Sequence, residues 1–155
     1  MTAVEAGNVA AQVAETPVRV VSSALYDLVL GVDRHRVGLA HELGLGTTDV
    51  AALWEVARRP GLRPGDLARA LGLGVAGTSS VVDKLVRSGF VRRDPDPSDR
   101  RSLNLGLTPA GRHAHEWVEE QLDLVVARVL GDGPGAAATA AALRRLAQQF
   151  TTPED

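Results

Sequence analysis

The sequence predicts a mainly α-helical fold that carries one small β-hairpin, and three observations lead there. Apolar side chains recur three and four residues apart over most of the chain, the period of a helix with one buried face. One stretch breaks that rhythm: Leu103, Leu105 and Leu107 alternate with Ser102, Asn104 and Gly106, as in a strand with one buried face. The size is that of a single domain, since 155 residues with 45% hydrophobic and 23% charged side chains can build one core and are too apolar for disorder. With aromatic residues at only 3%, that core must be aliphatic.

Residues 1–16 show no sustained apolar face and are expected to form a mobile arm. From Pro17 onward, Val21, Leu25, Leu28, Val29, Val32, Leu39 and Leu43 fall at spacings of three, four and seven, which predicts a long amphipathic helix within 17–46, closed by Gly44 and Gly46. Thr47 or Thr48 is expected to cap the next helix, with Asp49 in its first turn and Val50, Leu53, Trp54 and Ala57 facing inward, until Pro60-Gly61 stops it. Pro64 suits a first helical position and Asp66 a first turn. Leu67, Ala68 and Leu71 then face inward on a short helix that Gly72 closes. After Gly72-Leu73-Gly74, a further helix is predicted over 75–87. Thr78, Val81, Val82 and Leu85 share its buried face, leaving Ala76, Gly77, Ser79, Ser80, Asp83 and Lys84 outside. Two short helices joined by a glycine turn make a helix-turn-helix.

Ser88-Gly89 ends the second of these helices, and Phe90-Val91-Arg92-Arg93 reads as a strand. The proline- and charge-rich run from Asp94 to Arg101 reads as the solvated tip of a hairpin whose return strand is the leucine alternation. A helix-turn-helix (63–89) followed by such a hairpin (90–107) is a winged helix, here spanning 47–108. Thr108 can cap a long helix with Pro109 at its first position and Ala114, Trp117, Val118, Gln121, Leu122, Val125 and Val129 inward. After Gly131-Asp132-Gly133-Pro134-Gly135 a last helix carries Leu143, Leu146, Ala147 and Phe150, so 109–150 holds two C-terminal helices and 151–155 a tail.

Residues 62–112 resemble the winged-helix core of the MarR (multiple antibiotic resistance regulator) family. The resemblance rests on an ordered set: Gly89-Phe90-Val91-Arg92-Arg93, Asp94-Pro95 with Asp99-Arg100-Arg101, and Leu107-Thr108-Pro109-Ala110-Gly111. The flanking helices fit in number and order over 17–150. The resemblance implies a homodimeric transcription regulator, a repressor relieved by a small-molecule ligand. In such a protein 17–46 and 109–150 form the dimer interface, the second helix of the helix-turn-helix enters the major groove, and the hairpin reaches the adjacent minor groove. By position, Asp99 and Arg101 resemble a wing-tip pair in which the aspartate orients the arginine toward DNA, with Arg100 beside them. The resemblance also implies a ligand cleft between the dimer-forming helices and the DNA-binding module. Leu28, Val32, His35, Trp54 and Trp117 are its candidate lining, and their character implies an apolar or aromatic effector. Arg63 and Gly74 depart from the family pattern, standing where a Ser or Thr cap is common.

Charge gives the same answer only when it is divided. Seventeen basic minus nineteen acidic residues leave −2, which taken whole speaks against nucleic acid. Segment 63–101 holds eight basic and five acidic residues, a net of +3, against −2 for 1–62 and −3 for 102–155. That asymmetry points to double-stranded DNA as partner. The expected contacts are Val75, Ala76, Gly77, Ser79, Ser80, Asp83 and Lys84 on the recognition helix, Arg63, Arg69 and Arg87 at phosphates, and Arg92, Arg93, Asp99, Arg100 and Arg101 on the wing. The small recognition face has no Arg, Asn or Gln for bidentate base reading, which moves weight to Lys84, the wing and DNA shape. The same plain face leaves open a helical protein-interaction module or a shape-reading architectural DNA-binding protein.

Other chemistries find no footing. The chain has no cysteine, which excludes a disulfide framework, a cysteine zinc site and a thiol nucleophile. No serine sits in a nucleophile elbow, so no enzyme and no cofactor are expected. Gly72-Leu73-Gly74-Val75-Ala76-Gly77 matches G-x-G-x-x-G but joins two short helices, whereas a dinucleotide fingerprint follows a strand. His113 and His115 point about 200° apart on a helix, so no metal site is expected. No apolar run approaches a membrane span, and Met1-Thr2-Ala3-Val4-Glu5 has no basic region leading into an apolar one; the expectation is a cytoplasmic protein away from membranes.

Overall fold

The structure is a computed structural model and describes residues 16–96, 102–131, 133 and 135–151. Its order is α1 (Pro17–Glu42), α2 (Thr47–Arg58), α3 (Pro64–Leu71), α4 (Val75–Arg87), β1 (Val91–Pro95), β2 (Leu103–Leu107), α5 (Pro109–Leu130) and α6 (Gly135–Thr151). This is the predicted class, mainly helical with one antiparallel two-stranded hairpin.

Helix boundaries follow local chemistry. The Oγ1 of Thr16 accepts from the Arg19 N–H to start α1, with Pro17 in the first turn, and the chain leaves the helix through Gly44 at φ +65°. The cap of α2 corrects the sequence expectation: it is Gly46, and Thr47 is already helical. Asp49 explains the shift, because its Oδ2 reaches back to accept from the Gly46 N–H at 2.7 Å and the cap needs no side chain of its own. Arg63 precedes Pro64 at the start of α3, and Gly72, at φ +64°, supplies the left-handed turn into α4. Thr78 can lie buried in α4 because its hydroxyl donates to the Gly74 carbonyl at 3.0 Å.

The hairpin pairs Val91 with Leu107 and runs to Pro95 opposite Leu103. Asp94 and Pro95 therefore lie in β1, not in a solvated tip, and Asp96 beyond them is buried. The leucine alternation holds at Leu105 and weakens outward, since Leu103 sits at the far end of the hairpin and is exposed. A third segment joins the sheet unannounced by the sequence: the Leu105 N–H donates to the Leu62 carbonyl at 2.8 Å, fixing the α2–α3 connection to the wing.

Leu53, Leu67, Leu85, Leu105, Val82 and Val91 are the largest fully buried side chains, and they draw on α2, α3, α4 and both strands. Burying each contributes about 1.5–3 kcal/mol. This core sets α3 and α4 against α2 and the hairpin. The N-terminus of α5 is fastened to the same unit. Thr108 caps it, accepting from the Gly111 N–H at 3.0 Å, while its own N–H donates to the Phe90 carbonyl at 3.0 Å. Gly111 lies so close to that carbonyl that a Cβ there would overlap it.

The long helices depart from the expected inward stripes. Only Leu39 and Ala40 of α1 are buried; Val21, Leu28, Val29 and Val32 are exposed. In α5, Ala114 and Val118 are buried, whereas Val125 and Val129 are exposed, as is Phe150 of α6. Among the described residues nothing covers those positions.

Candidate nucleic-acid interface

The helix-turn-helix puts α4 on the surface with its outer face uncovered. Val75 is 85% exposed, and Ala76, Gly77, Ser79, Ser80 and Asp83 are exposed with it, while Thr78, Val82 and Leu85 anchor the opposite face. Lys84 turns away from this outer face. Its Nζ lies 2.8 Å from Oδ2 of the buried Asp49, tying the helix to the first turn of α2 and leaving the amine engaged within the protein.

The other cations are engaged as well. The guanidinium of Arg63 donates twice to Oδ2 of buried Asp96, at 3.1 and 2.5 Å. Arg69 pairs with Asp66 one turn away on α3. Arg92 reaches Asp94 at 2.8 Å and the Leu107 carbonyl at 2.6 Å. Arg93 Nη2 bonds Asp83 Oδ1 at 2.6 Å, joining the wing strand to the recognition helix. Arg87 donates to the Asp83 backbone carbonyl at 3.3 Å and meets no carboxylate among the described residues. The arrangement is a protruding helix and a hairpin whose described positive groups, Arg87 excepted, are each held beside a carboxylate. The wing-tip residues Asp99, Arg100 and Arg101 lie outside the described residues.

Behind the module is a largely apolar cavity of about 290 Å³, walled by Val32, His35, Arg36 and Leu39 of α1, Val50, Ala51, Trp54 and Glu55 of α2, Leu71 of α3, and Val118 and Leu122 of α5. Three of the five expected lining residues are present: Val32, His35 and Trp54. Leu28 and Trp117 are not, for Leu28 is exposed about one turn before Val32 and Trp117 packs against the core. The His35 Nε2 is buried without a hydrogen-bond partner. His115 serves packing, its ring 5.0 Å from that of Trp54 and its Nδ1 3.4 Å from Glu119. Among the described residues, no three potential metal ligands cluster.

The model of the MarR family matches residues 43–102, which run from the end of α1 through the hairpin. Over these residues the chain is similar to the MarR family.

Among similar proteins, the chain is 29% identical over 102 residues to the uncharacterized HTH-type transcriptional regulator YcgE of Bacillus subtilis, covering 56% of the chain and 66% of the relative. It is 33% identical over 93 residues to the transcriptional activatory protein BadR of Rhodopseudomonas palustris, covering 57% and 53%. The chain thus spans about half to two thirds of the curated relatives it matches. Among solved structures, MarR itself is 25% identical with a TM-score of 0.64 over 83% of this chain and 89% of that one. Streptococcus pneumoniae FabT in complex with DNA is 18% identical with a TM-score of 0.69 over 84% and 94%, a likeness of fold. These relatives are transcriptional regulators rather than enzymes.

Two features of this site escaped the sequence. The Asp49–Lys84 link joins residues 35 apart with no periodic signal between them, and the cavity's Leu39, Val50, Leu71 and Val118 read as ordinary core positions. Asp96 was legible only as a charge near prolines.

Proposed function

We propose that this protein is a transcriptional regulator that binds double-stranded DNA as a homodimer, inserting α4 in the major groove and laying the hairpin along the adjacent minor groove. The observation that carries the reading is the uncovered outer face of α4 beside a wing that bears Arg92 and Arg93. A relative of the same fold is known in complex with DNA, which supports that use of the module. The exposed valines and leucines of α1, α5 and α6 support pairing with a second copy, since apolar surface of this extent is costly to leave in water. The apolar cavity between α1, α2 and α5 supports a small apolar or aromatic effector that releases a repressor from its operator. Such a protein works in the cytoplasm, where the DNA is.

Selection from a random duplex library at moderate salt tests this. The expected result is a pseudo-palindrome with half-sites about one helical turn apart. Salt-sensitive binding with no enriched sequence would instead indicate a shape-reading architectural protein, and no binding at all a protein-interaction module. A reporter gene behind the enriched site reads the sign of regulation.

A further inference from the structure

Of the six described cations in 63–96, five lie against an aspartate: Arg63 against Asp96, Arg69 against Asp66, Lys84 against Asp49, Arg92 against Asp94 and Arg93 against Asp83. The pairs differ in kind. Asp49 and Asp96 have side chains only 8% and 7% exposed, so their cations are bound to groups that cannot be left uncompensated and serve the fold. Arg69–Asp66 and Arg92–Asp94 are local pairs within one helix turn and one strand. Arg93–Asp83 alone spans from the wing to the outer face of the recognition helix, and both partners meet solvent, at 34% and 55% exposure.

Resting on the reading that the protein binds duplex DNA, we propose that Asp83 is a specificity-determining residue whose carboxylate withholds Arg93 from the phosphate backbone. A phosphate and the Asp83 carboxylate compete for one guanidinium. A loosely docked, arbitrary duplex must break the pair and leave a bare carboxylate facing DNA. With α4 seated in the groove, the exocyclic amine of a cytosine or adenine takes the freed carboxylate, so the exchange is compensated only where the sequence presents that donor. Asp83 Oδ2 accepts no hydrogen bond among the described residues and is open to such a donor. The aspartate thus lowers affinity for arbitrary DNA more than affinity for the operator.

The test compares wild type, Asp83→Asn, Arg93→Gln and the double variant on the enriched duplex and on a scrambled duplex of equal length, across a salt series. Asp83→Asn is expected to bind the scrambled duplex about 3- to 10-fold more tightly, with a salt slope steeper by about 0.9 for one added phosphate contact per bound module. Arg93→Gln should weaken binding to the enriched duplex, where the guanidinium is released to phosphate, and in the double variant it should abolish the gain that Asp83→Asn shows on the scrambled duplex. The proposal is overturned if Asp83→Asn weakens binding to every duplex and lowers the melting temperature, which would make the pair a clip between wing and helix. It is equally overturned if the double variant keeps the tighter scrambled binding of Asp83→Asn, since Arg93 would then not be the group released. Unchanged discrimination in Asp83→Asn sinks this proposal alone, whereas failure of wild type to bind any duplex sinks it together with the DNA reading.

Discussion

Two glycines separate what a side chain can do at one position from what it can do at another. At Gly111 an added Cβ would overlap the Phe90 carbonyl, a backbone atom that is itself bonded to the Thr108 N–H. At Gly106 the nearest atom is Asp94 Oδ2 at 2.9 Å, the end of a side chain that can swing away. Gly111→Ala is therefore expected to cost about 2–4 kcal/mol, despite the roughly 1 kcal/mol that alanine gains in a helix. Gly106→Ala should stay within about 1 kcal/mol; urea unfolding midpoints compare the two. The sequence marked Gly111 as part of a motif, yet the reason is a backbone approach from residues 21 positions earlier, which no spacing rule encodes. Arg63 teaches the same lesson about charge. Arg63→Ala removes a two-fold contact from the buried Asp96, so its expected signature is a loss of stability of about 1–3 kcal/mol, discounted because the guanidinium is half exposed. Arg87→Ala should leave stability within about 0.5 kcal/mol and instead flatten the salt dependence of DNA binding by about 0.9 per bound module.

At the scale of elements, helical periodicity located α1, α4 and α5 and the turn at Gly72, because caps and apolar spacing are local properties of the chain. It could not say what covers a stripe. The distal half of α5 has the spacing of a core helix, yet Val125 and Val129 lie exposed. A second copy of the chain would cover them, and Val129→Glu is accordingly expected to shift the protein from dimer to monomer in sedimentation. Persistence of the dimer would remove α5 from the interface. The cavity gives a prediction at this scale too. Trp54 lines it and Trp117 does not. Quenching of fluorescence by aromatic acids should survive Trp117→Phe and vanish in Trp54→Phe, provided the ligand enters this cavity.

For the molecule as a whole, the division of charge remains the clearest signal that the sequence carried, since +3 over 63–101 stands within a total of −2. Pairing in space could not be read from that sum. Aspartates at 49, 66, 83, 94 and 96 each hold a described cation, and two of the five are buried. The cations are consequently less available to phosphate than their number implies, and the salt slope of DNA binding should be smaller than a count of arginines would give.

The seating of Gly111 against Phe90 also makes α5 a lever. Its 22 residues extend about 33 Å from a fulcrum at the junction of recognition helix and wing. A tilt of about 5° about that fulcrum moves Leu130 by about 3 Å. Conversely, whatever grips the far end of α5 steers the groove-facing helix through a joint that has no slack.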